Sequence, residues 1–260
     1  MKAYQIMTDV IGEEYLASHP GTVDRLKAGD PEKEVRKIAV CFAPTPNVLR
    51  DAVSWGADLV ISHEPTFYHH SDVLTEEEWK GKTAAQKRKA VDAAGVTIYR
   101  YHDSMHHRGD DEVNVDLLER LALPCRYDGR ERCTLETPVP VRELAKRLEA
   151  ALNVRHARII GNADFSAERL WLPLGASDGY DAFVDNDCDQ VAIAGELCEW
   201  REGEPIREAG EFGREKAVIL LGHAGSEKQA METLAVRIDG KYDGAEAKYF
   251  DCGELYTYTD

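Results

Sequence analysis

This sequence has no long apolar run, no C-x-x-C pair and no excess of basic charge, and each absence removes a class of protein. No stretch approaches the roughly 18 consecutive apolar residues that a membrane helix needs. Asp9, Glu13 and Glu14 interrupt the N-terminal region before the apolar core of a signal peptide could form. The six cysteines (Cys41, Cys125, Cys133, Cys188, Cys198 and Cys252) are scattered, which reads as reduced thiols and not as a disulfide framework. Cys41 falls in a strand-like run and reads as a small buried hydrophobe. The expectation is a cytoplasmic protein with no membrane partner. A net charge of −16 without clustered Lys and Arg argues against nucleic acid as a partner. The spread acidity, as in Thr75-Glu76-Glu77-Glu78, reads as a solubilising surface. There is no P-loop lysine, no Rossmann glycine spacing, and no nucleophile motif around Ser226 or Cys198. There is also no short-period repeat and no low-complexity linker.

What is present is an alternation of short apolar runs and amphipathic stretches over 260 residues, enough for one large domain or two modest ones. Val35–Ala43, Leu59–Ser62 and Thr97–Tyr101 read as strands, with helices over Pro46–Trp55, stopped by Gly56, and over Thr75–Ala94, stopped by Gly95. A further helix is possible around Asp9–Ala17. Strand, helix and strand within about 30 residues make a βαβ unit and place the chain in the α/β class. Asn114–Leu121 reads as a helix capped by Asn114. Strands are expected at Cys133–Glu136, His156–Ile160, Leu170–Leu174, Val191–Ala194, Ala217–Leu221 and Ala247–Phe250. Helices are expected at Val141–Leu152, Ile206–Phe212 and Ser226–Ile238, the last with Ser226 as its cap. Each half of the chain, residues 1–128 and 129–260, reads as α/β with mixed or parallel sheets.

The chemistry lies at strand ends. Ser62-His63-Glu64-Pro65, His102-Asp103-Ser104-Met105-His106-His107, Gly195-Glu196 and Gly222-His223-Ala224-Gly225-Ser226-Glu227 each follow an apolar run. Open α/β sheets bind ligands at the carboxyl ends of their strands. His102 and His106 are four apart, as are His223 and Glu227, so a helix starting there puts each pair on one face. Imidazole with carboxylate suits Zn²⁺, Fe²⁺, Mn²⁺ or Ni²⁺, and the number of ligands suits two ions sharing a carboxylate. Any one of these histidines alone reads as a hydrogen-bonded structural residue; the set together reads as a metal site. Gly222–Ser226 could instead form a phosphate nest at a helix start. His19 and His156 read as surface residues, His69 and His70 as loop or outer groups, and Lys80, Lys82, Arg100 and Arg108 as a solvated face.

The order and spacing of these blocks over most of residues 35–240 resemble the NIF-three-like dinuclear-metal proteins, also called GTP cyclohydrolase 1 type 2 homologues. There a strand ends in His-His-Pro, here His63-Glu64-Pro65. A second ends in His-Thr-Asn-Leu-Asp before a Val-Asn helix start, here His102 to His106 with Val113-Asn114. A late strand ends in Gly-His-x-x-x-Glu, here Gly222-His223 to Glu227. Two departures exchange a His for Glu64 and an Asp for His106, which keeps the number of carboxylates. The resemblance implies two divalent ions per chain with His63, Glu64, His106, His223 and Glu227 as ligands, Glu227 bridging. His102 is either a further ligand or a group orienting one. His107 or Asp103 could replace His106, because the spacing there is one residue out. It further implies two similar α/β halves with the metal site between them, a homohexamer and a small-molecule substrate: a cyclic amide, a nucleotide or a phosphoester. Glu64 and Asp103 are the candidates for catalytic proton transfer. The rival expectation is a non-catalytic metal-binding or regulatory homo-oligomer, and a third is a single-ion site.

Overall fold

The computed structural model describes residues 1–259. The chain divides into two compact units, residues 1–108 with the stretch from Met231 onward, and residues 109–230. The first begins with α1 (Ala3–Ile11), α2 (Glu13–Ser18), β1 (Leu26–Ala28), β2 (Lys37–Cys41), α3 (Pro46–Trp55) and β3 (Leu59–Ser62). It continues with α4 (Glu76–Trp79), α5 (Lys82–Ala94), β4 (Thr97–Arg100) and α6 (Asp103–His107). The second holds α7 (Glu112–Leu121), β5 (Cys125–Tyr127), β6 (Arg132–Pro140), α8 (Val141–Leu152), β7 (Arg158–Gly161), β8 (Ser166–Trp171) and α9 (Tyr180–Asp185). Then come β9 (Val191–Ala194), a π-helical turn (Glu199–Gly203), α10 (Glu204–Glu211), β10 (Ala217–Leu220) and the start of α11 (His223–Ile238). β11 (Glu246–Tyr249) ends the regular structure and belongs to the first unit.

The first unit's sheet runs β1-β4-β3-β2-β11, parallel except for β1 at the edge. β11 therefore pairs beside β2, although its position in the chain places it with the second half. In the parallel register Cys41 lies opposite Ser62, and Ser62 opposite Arg100, so Phe42, His63 and Tyr101 leave the sheet at one level. α3 forms where expected because Thr45 accepts the Val48 N–H (3.2 Å), Pro46 opens the first turn, and Gly56 takes the left-handed stop. Its buried Val48, Leu49 and Ala52 pack with Val60, Phe67, Val91 and Ile98. Burying each large side chain contributes about 1.5–3 kcal/mol.

The second unit's sheet runs β5-β6-β8-β9-β10-β7, with β8, β9 and β10 parallel. Ala194 lies opposite Leu220, so Gly195-Glu196 and Gly222-His223 emerge side by side. Two helix starts differ from the sequence reading. α7 is capped by Asp111, whose carboxylate accepts from the Val113 and Asn114 N–H groups; Asn114 is inside the helix and donates to the Arg130 carbonyl (2.7 Å). α11 starts at His223, so Ser226 is not its cap. The Ser226 hydroxyl donates to the His223 carbonyl (2.8 Å) and accepts from the Gly175 N–H (3.0 Å). Among the described residues no helix is long and apolar enough to cross a membrane.

One buried cation in the first unit has a measurable consequence. Lys87 of α5 is 5% exposed and donates to the Pro44 carbonyl. Burial lowers its pKa to about 8, against smaller opposing effects from Cys41 and Asp72. Below that pH the folded protein carries the full cost of burying an ammonium. Between pH 8 and the ordinary value of 10.5 the unfolded chain holds a proton that the folded chain has released, so stability rises with pH. Relative to a Lys87→Met variant, the wild type is expected to gain roughly 5–10 °C in Tm between pH 7 and pH 10, since about two pH units of proton release correspond to roughly 2.5 kcal/mol at about 2–4 °C per kcal/mol. Parallel melting curves for the two proteins would contradict this.

Candidate metal centre

The first unit gathers three imidazoles. His63 follows β3 and is 1% exposed. Its N–H bonds the Phe42 carbonyl (3.0 Å), its own carbonyl accepts from Arg100 Nε (2.7 Å), and its Nδ1 donates to the Tyr101 carbonyl (3.1 Å). A carbonyl only accepts, so Nδ1 carries the proton and Nε2 presents a lone pair. Burial first, then His102, His106 and Arg100, push the His63 pKa well below its ordinary value. The ring is thus neutral, the form that ligates metals.

His102 sits at the start of α6, and its Nδ1 donates to Asp103 Oδ1 (3.0 Å). A carboxylate behind an imidazole is the usual partner of a metal-binding His. His106, one turn on, brings its Nε2 to 3.4 Å from His63 Nε2. The three ring centroids form a triangle with sides of 4.6, 4.9 and 5.2 Å. A nitrogen from each lies within 4.8 Å of the others.

This donor set fits a divalent ion. Tetrahedral bonds of about 2.05 Å place ligand nitrogens about 3.3 Å apart, close to the observed 3.4 Å between His63 and His106. Glu64 offers a carboxylate oxygen within 4.8 Å of a His63 ring nitrogen. His107 is exposed and Asp103 points its carboxylate at His102, so His106 is the one of the three open choices that joins the triad. His70 packs edge-on against His102, with centroids 5.3 Å apart.

The second unit gathers a smaller cluster. His223 opens α11 beside the end of β9. Its Nδ1 is 3.0 Å from Glu196 Oε1 and its Nε2 is 3.2 Å from Glu227 Oε2. Glu196 again stands behind the imidazole, leaving Nε2 and a 4% exposed Glu227 carboxylate facing each other. Gly175 makes this approach possible: a Cβ there would collide with Glu227 Oε1 and lie 2.8 Å from its carboxylate carbon.

Some of the surrounding residues were not legible as functional. Arg100, read from the sequence as part of a solvated face, is 1% exposed and holds the His63 and His70 carbonyls. Its correction follows from strand position: it is the last residue of β4, an inner strand buried along its length. Asp24 and Thr22 carried no motif, yet they bond the start of α6 and Asp103.

The model of the family Duf34/NIF3 (NGG1p interacting factor 3) matches residues 23–251. A protein of Streptomyces coelicolor named GTP cyclohydrolase 1 type 2 homolog is 23% identical over 178 residues, 61% of this chain and 62% of that protein's length. A protein of the same name from Buchnera aphidicola is 21% identical over 82% of this chain and 83% of its own. Among solved structures, the ybgI protein, described as of unknown function, superposes with a TM-score of 0.75 at 21% identity, over 98% of this chain and 100% of its own. That likeness speaks for the fold, and the alternating α/β order and the two sheets agree with it. The chain belongs to the Duf34/NIF3 family.

Proposed function

We propose that this protein is a metal-dependent hydrolase that holds two divalent ions per chain, with His63, Glu64, His102, His106, His223 and Glu227 as ligands. The observation that carries the reading is the triad of imidazoles whose buried member, His63, is kept neutral and aims a lone pair at His106. Divalent ions bound by these residues would lower the pKa of a coordinated water and polarise the bond to be cleaved.

The chain's own groups divide the remaining work. Burial pushes the Asp103 carboxyl up, but donation from His102, the Val23 N–H and Thr22 outweighs it and holds Asp103 well below the usual carboxylate range. Asp103 is therefore a poor proton acceptor and serves to orient His102. Of the two acids considered for proton transfer, Glu64 takes that role. The substrate class that goes with this reading is a small molecule with a polar reacting group: a cyclic amide, a nucleotide ring or a phosphoester. The homohexamer implied by the family resemblance belongs to the same proposal, and light scattering on the purified protein reads it.

The test is turnover by metal-loaded protein against cyclic amides, nucleotides and phosphodiesters. Hydrolysis of one class, lost with chelation and restored with metal, is the expected result. Full metal occupancy with no turnover across the panel would replace the hydrolase with the non-catalytic metal-binding assembly.

A further inference from the structure

Residues 22–24 lie between α2 and β1 with no regular secondary structure, yet Thr22, Val23 and Asp24 are 7, 8 and 1% exposed. Their polar groups converge on one place almost 80 residues away in sequence. Asp24 Oδ1 accepts from the N–H groups of His102 (2.6 Å) and Asp103 (3.0 Å). Its Oδ2 accepts from the Ser104 N–H (2.7 Å) and the Ser104 hydroxyl (2.5 Å). In return Asp103 Oδ2 accepts from the Thr22 hydroxyl (2.9 Å) and the Val23 N–H (3.0 Å), while its Oδ1 accepts from His102 Nδ1 (3.0 Å). The Asp24 N–H closes the set by donating to Thr22 Oγ1 (3.1 Å).

An ordinary helix cap needs one acceptor for one or two amides. Here two carboxylates are linked in series: one holds the backbone of residues 102–104, and the other holds the ring of His102. α6 is five residues long, too short to set its own position. The segment is itself fixed to the sheet, since Arg25 accepts the Arg100 N–H (3.0 Å) and β1 pairs with β4. The backbone and the ring tautomer of His102 are thus both determined by residues that offer the triad no ligand atom.

We infer that Thr22-Val23-Asp24 is a positioning clamp that sets the orientation and tautomer of His102 and thereby the metal affinity of the triad. The inference rests on the metal reading above. The clamp acts through two linked routes: the Thr22 hydroxyl bonds Asp103, which holds the ring, and accepts the Asp24 N–H, while the Asp24 carboxylate holds the backbone of residues 102–104.

The experiment measures Zn²⁺ affinity by chelator competition and the visible absorption of the Co²⁺ form, on the full chain, with melting curves alongside. Thr22→Val removes the hydroxyl that bonds Asp103 with little change of shape. It is expected to weaken Zn²⁺ binding about 10–100-fold, the cost typical of losing a group that orients a ligand, and to alter the Co²⁺ bands. Thr22→Ser keeps the hydroxyl and is expected to keep wild-type affinity and spectrum. Asp24→Asn is expected to weaken binding by a similar factor. If Thr22→Val lowers Tm but leaves Zn²⁺ affinity and the Co²⁺ spectrum unchanged, the segment is a structural tie and the clamp is refuted. If the wild type itself binds neither ion, the metal reading falls and the clamp falls with it.

Discussion

A His63→Ala variant is expected to lose much of the metal-dependent rise in Tm that the proposed metal site predicts for the wild type. Binding to the folded state alone stabilises a protein by about 2.7 kcal/mol when the ion is at 100 times its Kd. His63 is the buried corner of the triad and the partner of both other imidazoles. Its removal leaves His102 and His106 without the third nitrogen that makes the group a chelate. Affinity at the triad should therefore fall by more than the roughly 10–100-fold cost of losing an orienting group. The metal-free variant should also be less stable by about 1–3 kcal/mol, because the Tyr101 carbonyl loses its donor in a buried position. Melting curves with and without Zn²⁺ read both effects. A variant that keeps the wild-type shift on adding Zn²⁺ would remove His63 from the ligand set.

Gly175→Ala is expected to damage the second cluster from outside it. Gly175 has φ +66°, where an L residue is strained, and its missing Cβ is the space taken by the Glu227 carboxylate. Gly213 has a similarly positive φ of +81°, but a Cβ there would meet nothing within 4 Å. Gly213→Ala thus isolates the backbone cost, about 1 kcal/mol. Gly175→Ala should cost at least about 1 kcal/mol more by displacing a buried carboxylate, and it should also weaken metal binding, which Gly213→Ala should not. Equal Tm losses and equal metal affinity in the two variants would show that Glu227 does not depend on this close approach.

The elements that were legible in the sequence are those whose signals are local. α3 carries its own cap, its N-terminal proline and its glycine stop, and it forms over the expected residues. β3, apolar up to its last residue Ser62, and β9, apolar throughout, are buried along their whole length. The strand-end histidines were legible because a strand end delivers its next residues in a fixed direction. What was not legible depends on distant partners. α11 starts three residues before the serine that looked like its cap, because that serine instead bonds Gly175, more than 50 residues upstream. Asp111 displaces Asn114 as a cap by a shift of three residues that composition cannot resolve. Asp24 and Thr22 lie in an unpatterned stretch, and their roles exist only after β1 has paired with β4. Arg100 looked solvated because a basic side chain at a strand end usually is; burial beneath the His63 loop supplies carbonyl acceptors in place of water.

The account stands on bound metal, and the most direct measurement is the metal content of protein purified without added metal and again after reconstitution with divalent ions. About two ions per chain, with loss of metal in Glu227→Ala, is the predicted result. No bound metal in the wild type, even after reconstitution, would contradict it.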